Sequence, residues 1–314
     1  MQEVLIGKAA RRSQRLSGKL RYRTKEAFWG VVCVLPAILG FLLWQLGPIV
    51  GSLLLAFTDW SVAGVPHWIG SANFQKIFFN DELFYKSLSV TLSYALLSVP
   101  LTMLFAFALA LLLNQKLAGT RIFRTIFYLP STVPVIASSV LWLWLFNPDF
   151  GLLNAILDQL GLPKQQWIYD EATVLPSLIL MNLWSVGPMM IIFLAGLQGI
   201  PRYLYEAVEV DGGNALHKLW HITVPLLTPT ILFNLILSII DTLQAFTQPY
   251  VMTQGGPNNA SLLYVLYLYR KAFKEAQMGY ASALAWILFV FIAVVSFLVM
   301  RSSRRWVYYE GGER

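Results

Sequence analysis

The sequence predicts an all-α integral membrane protein with six transmembrane helices and both termini in the cytoplasm, and three observations carry that prediction. Of its 314 residues, 57% are hydrophobic and only 12% charged, about half the ~25% charged content of a soluble domain. The apolar residues are gathered into runs free of Asp, Glu, Lys and Arg, each long enough for the ~20 residues that cross ~30 Å of hydrocarbon. The basic residues flank these runs and divide unevenly between the two sides they define, as orientation in a membrane requires.

Residues 1–26 form a basic tail, with Lys8, Arg11, Arg12, Arg15, Lys19, Arg21, Arg23 and Lys25 against Glu3 and Glu26. The charge-free run that follows, Ala27–Thr58, exceeds the ~7–15 residues of a signal-peptide core, so it reads as an uncleaved first span. Pro36 and Pro48 kink it or mark its ends. Five further runs follow: Ser87–Gln115, Thr125–Asn147, Ala172–Pro201, Leu219–Ile240 and Ala276–Met300. Pro130, Pro134, Gly187 and Pro188 are the expected kink sites within them. With both ends inside, 17 Lys and Arg residues fall on the cytoplasmic side and 6 outside, the asymmetry of a cytoplasmic N- and C-terminus. Residues 27–300 are thus one membrane domain, with a cytoplasmic loop at 202–218 and a second tail at 301–314.

The outer loops carry short amphipathic pieces, His67–Phe78 and Phe150–Gly161. Each is read as a helix lying along the membrane surface, either packing there or docking an outer partner. The net charge of +7 sits at the span ends and not on a folded polar surface, which argues against nucleic acid as a partner. One cysteine, Cys33, excludes an intrachain disulfide or a Cys-based metal cluster. Three histidines, scattered along the chain, supply no metal site.

Chemistry is missing in an informative way. No G-x-x-x-x-G-K-[ST], G-x-G-x-x-G or H-E-x-x-H pattern occurs, so no nucleotide or catalytic metal is expected on this chain. Predicted spans one to four and six hold no Asp, Glu, Lys or Arg, and Asp241 sits at the outer end of span five. A carrier coupled to protons or sodium keeps an ionisable relay in its membrane core. If the chain moves a solute uphill, the energy has to come from another subunit. It is read as a transport subunit and not an enzyme.

The most polar stretch hemmed by apolar runs is Glu206–Pro229. Glu206-Ala207-Val208, three residues, Gly212, nine residues and Ile222-Thr223-Val224-Pro225 resemble the EAA motif of binding-protein-dependent ABC importer permeases. Val208, Val224 and Gly213 are small or apolar departures from that motif. Further landmarks cover nearly the whole chain. They are Trp68–Phe74, Arg121–Arg124 leading to Leu129-Pro130, Asn147–Asn154, Thr253–Asn258 and Phe273 through Gly279–Ala283. They resemble the carbohydrate-uptake subgroup, and the segment containing Gly255-Gly256-Pro257 is similar to the sugar-permease half represented by the maltose-transporter F subunit.

The resemblance implies a type I ABC importer permease fold in a bacterial or archaeal cytoplasmic membrane. The implied partners are a second homologous permease, two ATPase subunits carrying ATP and Mg, an extracytoplasmic solute-binding protein and membrane lipid. It implies that Glu206, Ala207, Val208, Glu209, Asp211, Gly212 and Pro225 form the coupling element. There Glu206 is the salt-bridge partner of the ATPase and Gly212 the hinge. By sequence, residues 203–211 form a short helix with Leu204, Ala207 and Val208 on an apolar side. Glu206 and Glu209 fall in its early turns, and Gly212 ends it through a positive φ.

Solute contacts are expected from Ser238, Asp241, Thr242, Ala245 and Gln248, which recur at helical spacing. Asn182, Trp184 and Ser185 are expected opposite them, Trp184 as a ring platform. Ser, Thr and Asn at such places also serve to bond neighbouring helices. Two other readings stand beside the sugar importer. A glycerol phosphate importer of the same family would favour Lys or Arg at the pocket, and an ATPase-independent carrier would need an intramembrane charge.

Overall fold

The computed structural model describes residue 25, residues 27–115 and residues 119–308. The rest of the basic N-terminal tail, the middle of the Gln115–Arg124 loop and residues 309–314 lie outside the described residues. Among the described residues the architecture is helical, with one antiparallel bridge between Thr58 and Trp68. Four stretches are long and apolar enough to span a membrane: Ala27–Leu55 (α1), Glu82–Leu113 (α3), Ala215–Met252 and Met278–Ser303 (α14). Two bent pairs raise the number to 6 if each is one span. The first joins Thr120–Tyr128 (α4) and the turn Leu129–Thr132 to Val135–Leu145 (α5), bent by 99°. The second joins Val174–Trp184 (α7) to Gly187–Gly199 (α8), bent by 52°. Each of the six predicted runs overlaps one of these units.

The breaks fall at Pro130, Pro134 and Gly187-Pro188. A proline inside a helix removes one hydrogen bond and collides with the carbonyl four residues back, and neighbouring helices let a membrane protein keep the kink. Gly187 has a second reason to be glycine, since a Cβ there would stand 2.8 Å from the Tyr128 Cα. The bend in one pair is therefore packed against the end of α4.

Helix ends differ from the predicted runs for local reasons. α3 begins five residues before Ser87 because Asp81 caps it, its carboxylate accepting the Phe84 N–H at 3.0 Å. α1 continues past Pro36 and Pro48, loosened only by a π-turn at Leu42–Leu46. α14 runs on to Ser303, past the start expected for the C-terminal tail. The stretch Ala215–Met252 is composite. Ala215–Lys218 (α10) passes through a π-turn, Leu219–Thr223, into Val224–Leu243 (α11), and Thr247–Met252 (α12) follows after a break.

Both amphipathic loop pieces are helical, as Ala72–Phe79 (α2) and Leu152–Gln159 (α6). Each is pinned by one buried asparagine. Asn73 donates to the carbonyls of Ala56 and Thr58 at 2.9 and 2.8 Å. Asn154 donates to those of Pro148 and Gln165 and accepts from Gln165 N–H and the Trp167 indole. A buried amide is tolerated only when its hydrogen bonds are made, and here they close the loops.

α3 is the central post. It packs against α7, α8, α11 and Tyr264–Tyr269 (α13). One apolar cluster at its start gathers Ile77, Phe84, Tyr264, Tyr267 and Leu284. Another at its end gathers Ala106, Leu109, Met190, Phe193 and Leu227. By contrast, none of the most apolar window of α1 is buried, and Trp44 is 82% exposed.

Candidate functional site

The loop between α8 and α10 folds as a short helix, Arg202–Val210 (α9), closed by a tight turn. The Gly213 N–H donates to the Val208 carbonyl at 2.8 Å and the Gly212 N–H to that of Glu209 at 3.1 Å. That pair of bonds is the Schellman closure, which needs a left-handed residue just past the helix. Gly212 supplies it with φ of +77°. Gly213, which the sequence marked only as a departure from the motif, is needed by close approach. A Cβ there would lie 2.4 Å from Val208 Cγ1 and 3.0 Å from the Val208 carbonyl oxygen.

Two expectations about this helix change. It starts at Arg202, so Glu209 lies in its last turn, where a carboxylate opposes the helix dipole. An ion pair with Lys218 on α10 compensates, while Glu206 is exposed and has no ion pair among the described residues. The apolar residues do not form a single free face either. Leu204 packs with Tyr205 against the core cluster around α8, Val208 leans on Gly213, and Ala207 is exposed. The outward apolar groups are Tyr203 at 62%, Val210 at 87%, Leu216 at 62% and Trp220 at 60% exposure. The Tyr205 hydroxyl lies 3.1 Å from Thr223 Oγ1, so α9 is tied to the π-turn that begins the next span.

Pro225 and Pro229 sit in the first turns of α11. Pro229 has no N–H for the Pro225 carbonyl four residues back. Thr228 Oγ1 donates to that carbonyl instead, at 2.6 Å, so Pro229 leaves no orphaned acceptor.

At the far end of α11 two polar cavities meet. One, of about 270 Å³, is lined by Tyr94, Asn182, Asp241, Thr242, Ala245 and Gln248 among others. The other, of about 230 Å³, is lined by Thr102, Asn182, Ser185, Asn234, Ser238, Asp241 and Thr242 among others. Asn182, Asp241 and Thr242 border both. Seven of the expected solute-path residues therefore converge. Asn182 is held in place by a 3.0 Å hydrogen bond from its Nδ2 to Ser98 Oγ.

Trp184 does not join them. It faces Trp142 with ring centroids 6.0 Å apart and lines a separate apolar cavity of about 430 Å³ with Phe105, Phe127 and Leu183. The reason is helix rotation: Asn182 and Trp184 are two residues apart on α7, and such residues do not share a face.

Ala245 and Gln248 do line the cavity, but not through helical spacing. α11 stops at Leu243, and a continuous helix would drive the Pro249 ring into the Ala245 carbonyl.

The sequence reading stopped one turn short at Asn234, which is 1% exposed and whose Nδ2 has no hydrogen-bond partner among the described residues. It also missed Tyr94 and Thr102. The signal was available: Tyr94, Ser98 and Thr102 recur every four residues within an apolar run, and Asn234 precedes Ser238 by four.

With both regions in view, comparison with known proteins places the chain. Residues 102–308 match the family described as binding-protein-dependent transport system inner membrane component. The chain belongs to that family. It is 40% identical over 299 residues to a probable ABC transporter permease protein, YesP, of Bacillus subtilis, covering 94% of this chain and 96% of the relative. It is 32% identical to the trehalose/maltose transport system permease protein MalF of Thermococcus litoralis, covering 91% of this chain and 95% of that one. Its fold matches a chain in the crystal structure of a bacterial alginate ABC transporter in complex with an alginate pentasaccharide-bound periplasmic protein. There the TM-score is 0.80 and the identity 25%, over 90% of this chain and 96% of that one. As a member of this family, the chain is a multi-pass membrane component of a transport system.

Proposed function

We propose that this chain is the permease subunit of an ATP-driven, binding-protein-dependent importer of a sugar or oligosaccharide. The observation that carries the reading is the pairing, in one family member, of two features. One is a polar cavity beside α11, lined by no Lys or Arg among the described residues; the other is a compact helix at the opposite end of the same element. The names of its relatives, a trehalose/maltose permease among them, support a saccharide as the solute.

In this reading six spans cross the membrane with both termini in the cytoplasm, and a second homologous permease completes the channel. Two ATPase subunits bind ATP and Mg; this chain binds neither. Their closure pushes on α9, with Glu206 meeting a cationic group of the ATPase and Gly212 acting as the hinge. Because Tyr205 bridges to Thr223, and Glu209 to Lys218, motion of α9 is carried into the base of α11. The other end of α11 borders the cavities, so one rigid element links motor to solute. An outer binding protein delivers the solute, as the periplasmic protein in the alginate complex supports.

The test is reconstitution of this chain with its partner permease, ATPase subunits and binding protein. Glu206→Lys and Gly212→Asp are expected to leave assembly intact and to remove ATP-coupled uptake of saccharide, at least tenfold. Uptake at wild-type rates in either variant would refute the coupling role, and uptake without any ATPase subunit would refute the reading as a whole.

A further inference from the structure

Asp241 is the one Asp, Glu, Lys or Arg among the described residues that line the two polar cavities, and it borders both. Its placement has no structural return. It lies in the last turn of α11, where the helix dipole favours a cation and opposes a carboxylate. Among the described residues no ion pair involves it, unlike Glu209 and Glu275, which each hold a lysine. The side chain is exposed toward the cavities while Thr242 and Leu243 beside it are buried. A carboxylate placed near a membrane interior carries a desolvation cost, and such groups, where they face a cavity, mark solute paths.

A carboxylate has only acceptor sites, up to four lone pairs on two oxygens. A saccharide presents pairs of adjacent hydroxyl donors, and charge-assisted hydrogen bonds to them are stronger than neutral ones. Asn182 and Thr242, on either side, supply both donors and acceptors. An anionic sugar entering the same space would meet a like charge in a poorly screened cavity, with no Lys or Arg among the described residues that line it.

We propose that Asp241 is a charge filter on the solute path: its carboxylate accepts hydrogen bonds from solute hydroxyls and excludes acidic saccharides. The solute class is therefore a neutral or amino-substituted saccharide, and not a uronate or a sugar phosphate. This rests on the sugar-importer reading above.

The experiment uses the complete complex, held in its ATP-bound state by hydrolysis-deficient ATPase subunits. Binding of three labelled oligosaccharides of equal length is measured by equilibrium dialysis in the absence of the binding protein, whose own selectivity then plays no part. One probe is neutral, one carries an amino sugar and one ends in a uronate. The wild-type complex is expected to bind the first two and to bind the uronate at least about tenfold more weakly. Asp241→Asn, which keeps shape and acceptor, is expected to erase the difference between neutral and uronate probes. Asp241→Leu, which removes the charge-assisted acceptor, is expected to weaken the neutral probe about tenfold.

Equal binding of neutral and uronate probes by wild type overturns the filter, as does unchanged discrimination in Asp241→Asn. Failure of the Asp241→Asn complex to assemble overturns it too, because Asp241 would then be pairing with a cation of the second permease. A complex that binds none of the three probes, and takes up none in vesicles, overturns the sugar reading and the filter with it.

Discussion

Gly212 and Gly213 are adjacent and do different work. The first supplies a backbone conformation that costs other residues about 1–2 kcal/mol; the second leaves room for Val208. Gly213→Ala is thus expected to destabilise the turn by about 1–3 kcal/mol through overpacking, and Gly212→Ala by about 1 kcal/mol. Thermal unfolding of the solubilised complex orders the two. Asp81 offers a pH test at the same scale. Burial by itself pushes its pKa up. Hydrogen bonds from the Tyr267 and Tyr280 hydroxyls and the Phe84 N–H, with the nearby Lys271 charge, outweigh that and hold it below the ordinary 3.8. A carboxyl whose folded pKa is depressed adds stability that is complete above its unfolded value and is lost as pH falls through the folded one. Acid unfolding of the wild-type chain below pH 3.8 is therefore expected to be steeper than that of Asp81→Asn. At neutral pH the variant is expected to be less stable by about 1–3 kcal/mol. Only the cap role of Asp81 is local. Tyr267 and Tyr280 lie nearly two hundred residues away, so nothing in the sequence around Asp81 announces them.

At the scale of elements, the kinked spans matter most. Prolines mark where these two pairs break, and the bends are 99° and 52°. At Gly187 the backbone of α4 comes so close that a side chain has no room. At Pro229 the outcome is milder, because Thr228 answers the free carbonyl. Thr228→Val is expected to cost about 1–3 kcal/mol, the penalty of a buried unsatisfied acceptor, whereas Thr228→Ser keeps the bond and most of the stability. Thermal unfolding of the two variants side by side checks this. The misread Trp184 belongs to this scale too. It was expected beside Asn182 and Ser185, but two residues along α7 from Asn182 is more than half a helical turn, which carries its ring to the apolar side.

At the scale of the whole molecule, sidedness remains the most direct test. On a Cys33→Ala background, Val210→Cys is expected to react with a membrane-impermeant maleimide only in inside-out vesicles. Leu160→Cys, on the loop after α6, is expected to react only in right-side-out ones. Both positions are well exposed, at 87% and 67%, so access is not limited by the fold. Labelling of both from one side would exclude the proposed orientation. α1 bears on the same scale, since its uncovered apolar surface is suited to lipid or to another subunit and not to water.

What the sequence determined by itself was the place of the long apolar units, the breaks near Pro130, Pro134 and Gly187-Pro188, and the helix–glycine–span grammar of the loop at 202–218. These depend on hydropathy and local backbone preference, which neighbours in the chain settle. The tertiary structure alone decided which polar side chains share a space. Tyr94 and Thr102 meet Asn182, Asn234 and Asp241 across three elements. That meeting depends on the rotation of each helix about its axis and on where each break redirects it. Both are set by packing between segments distant in sequence, and no local pattern encodes them.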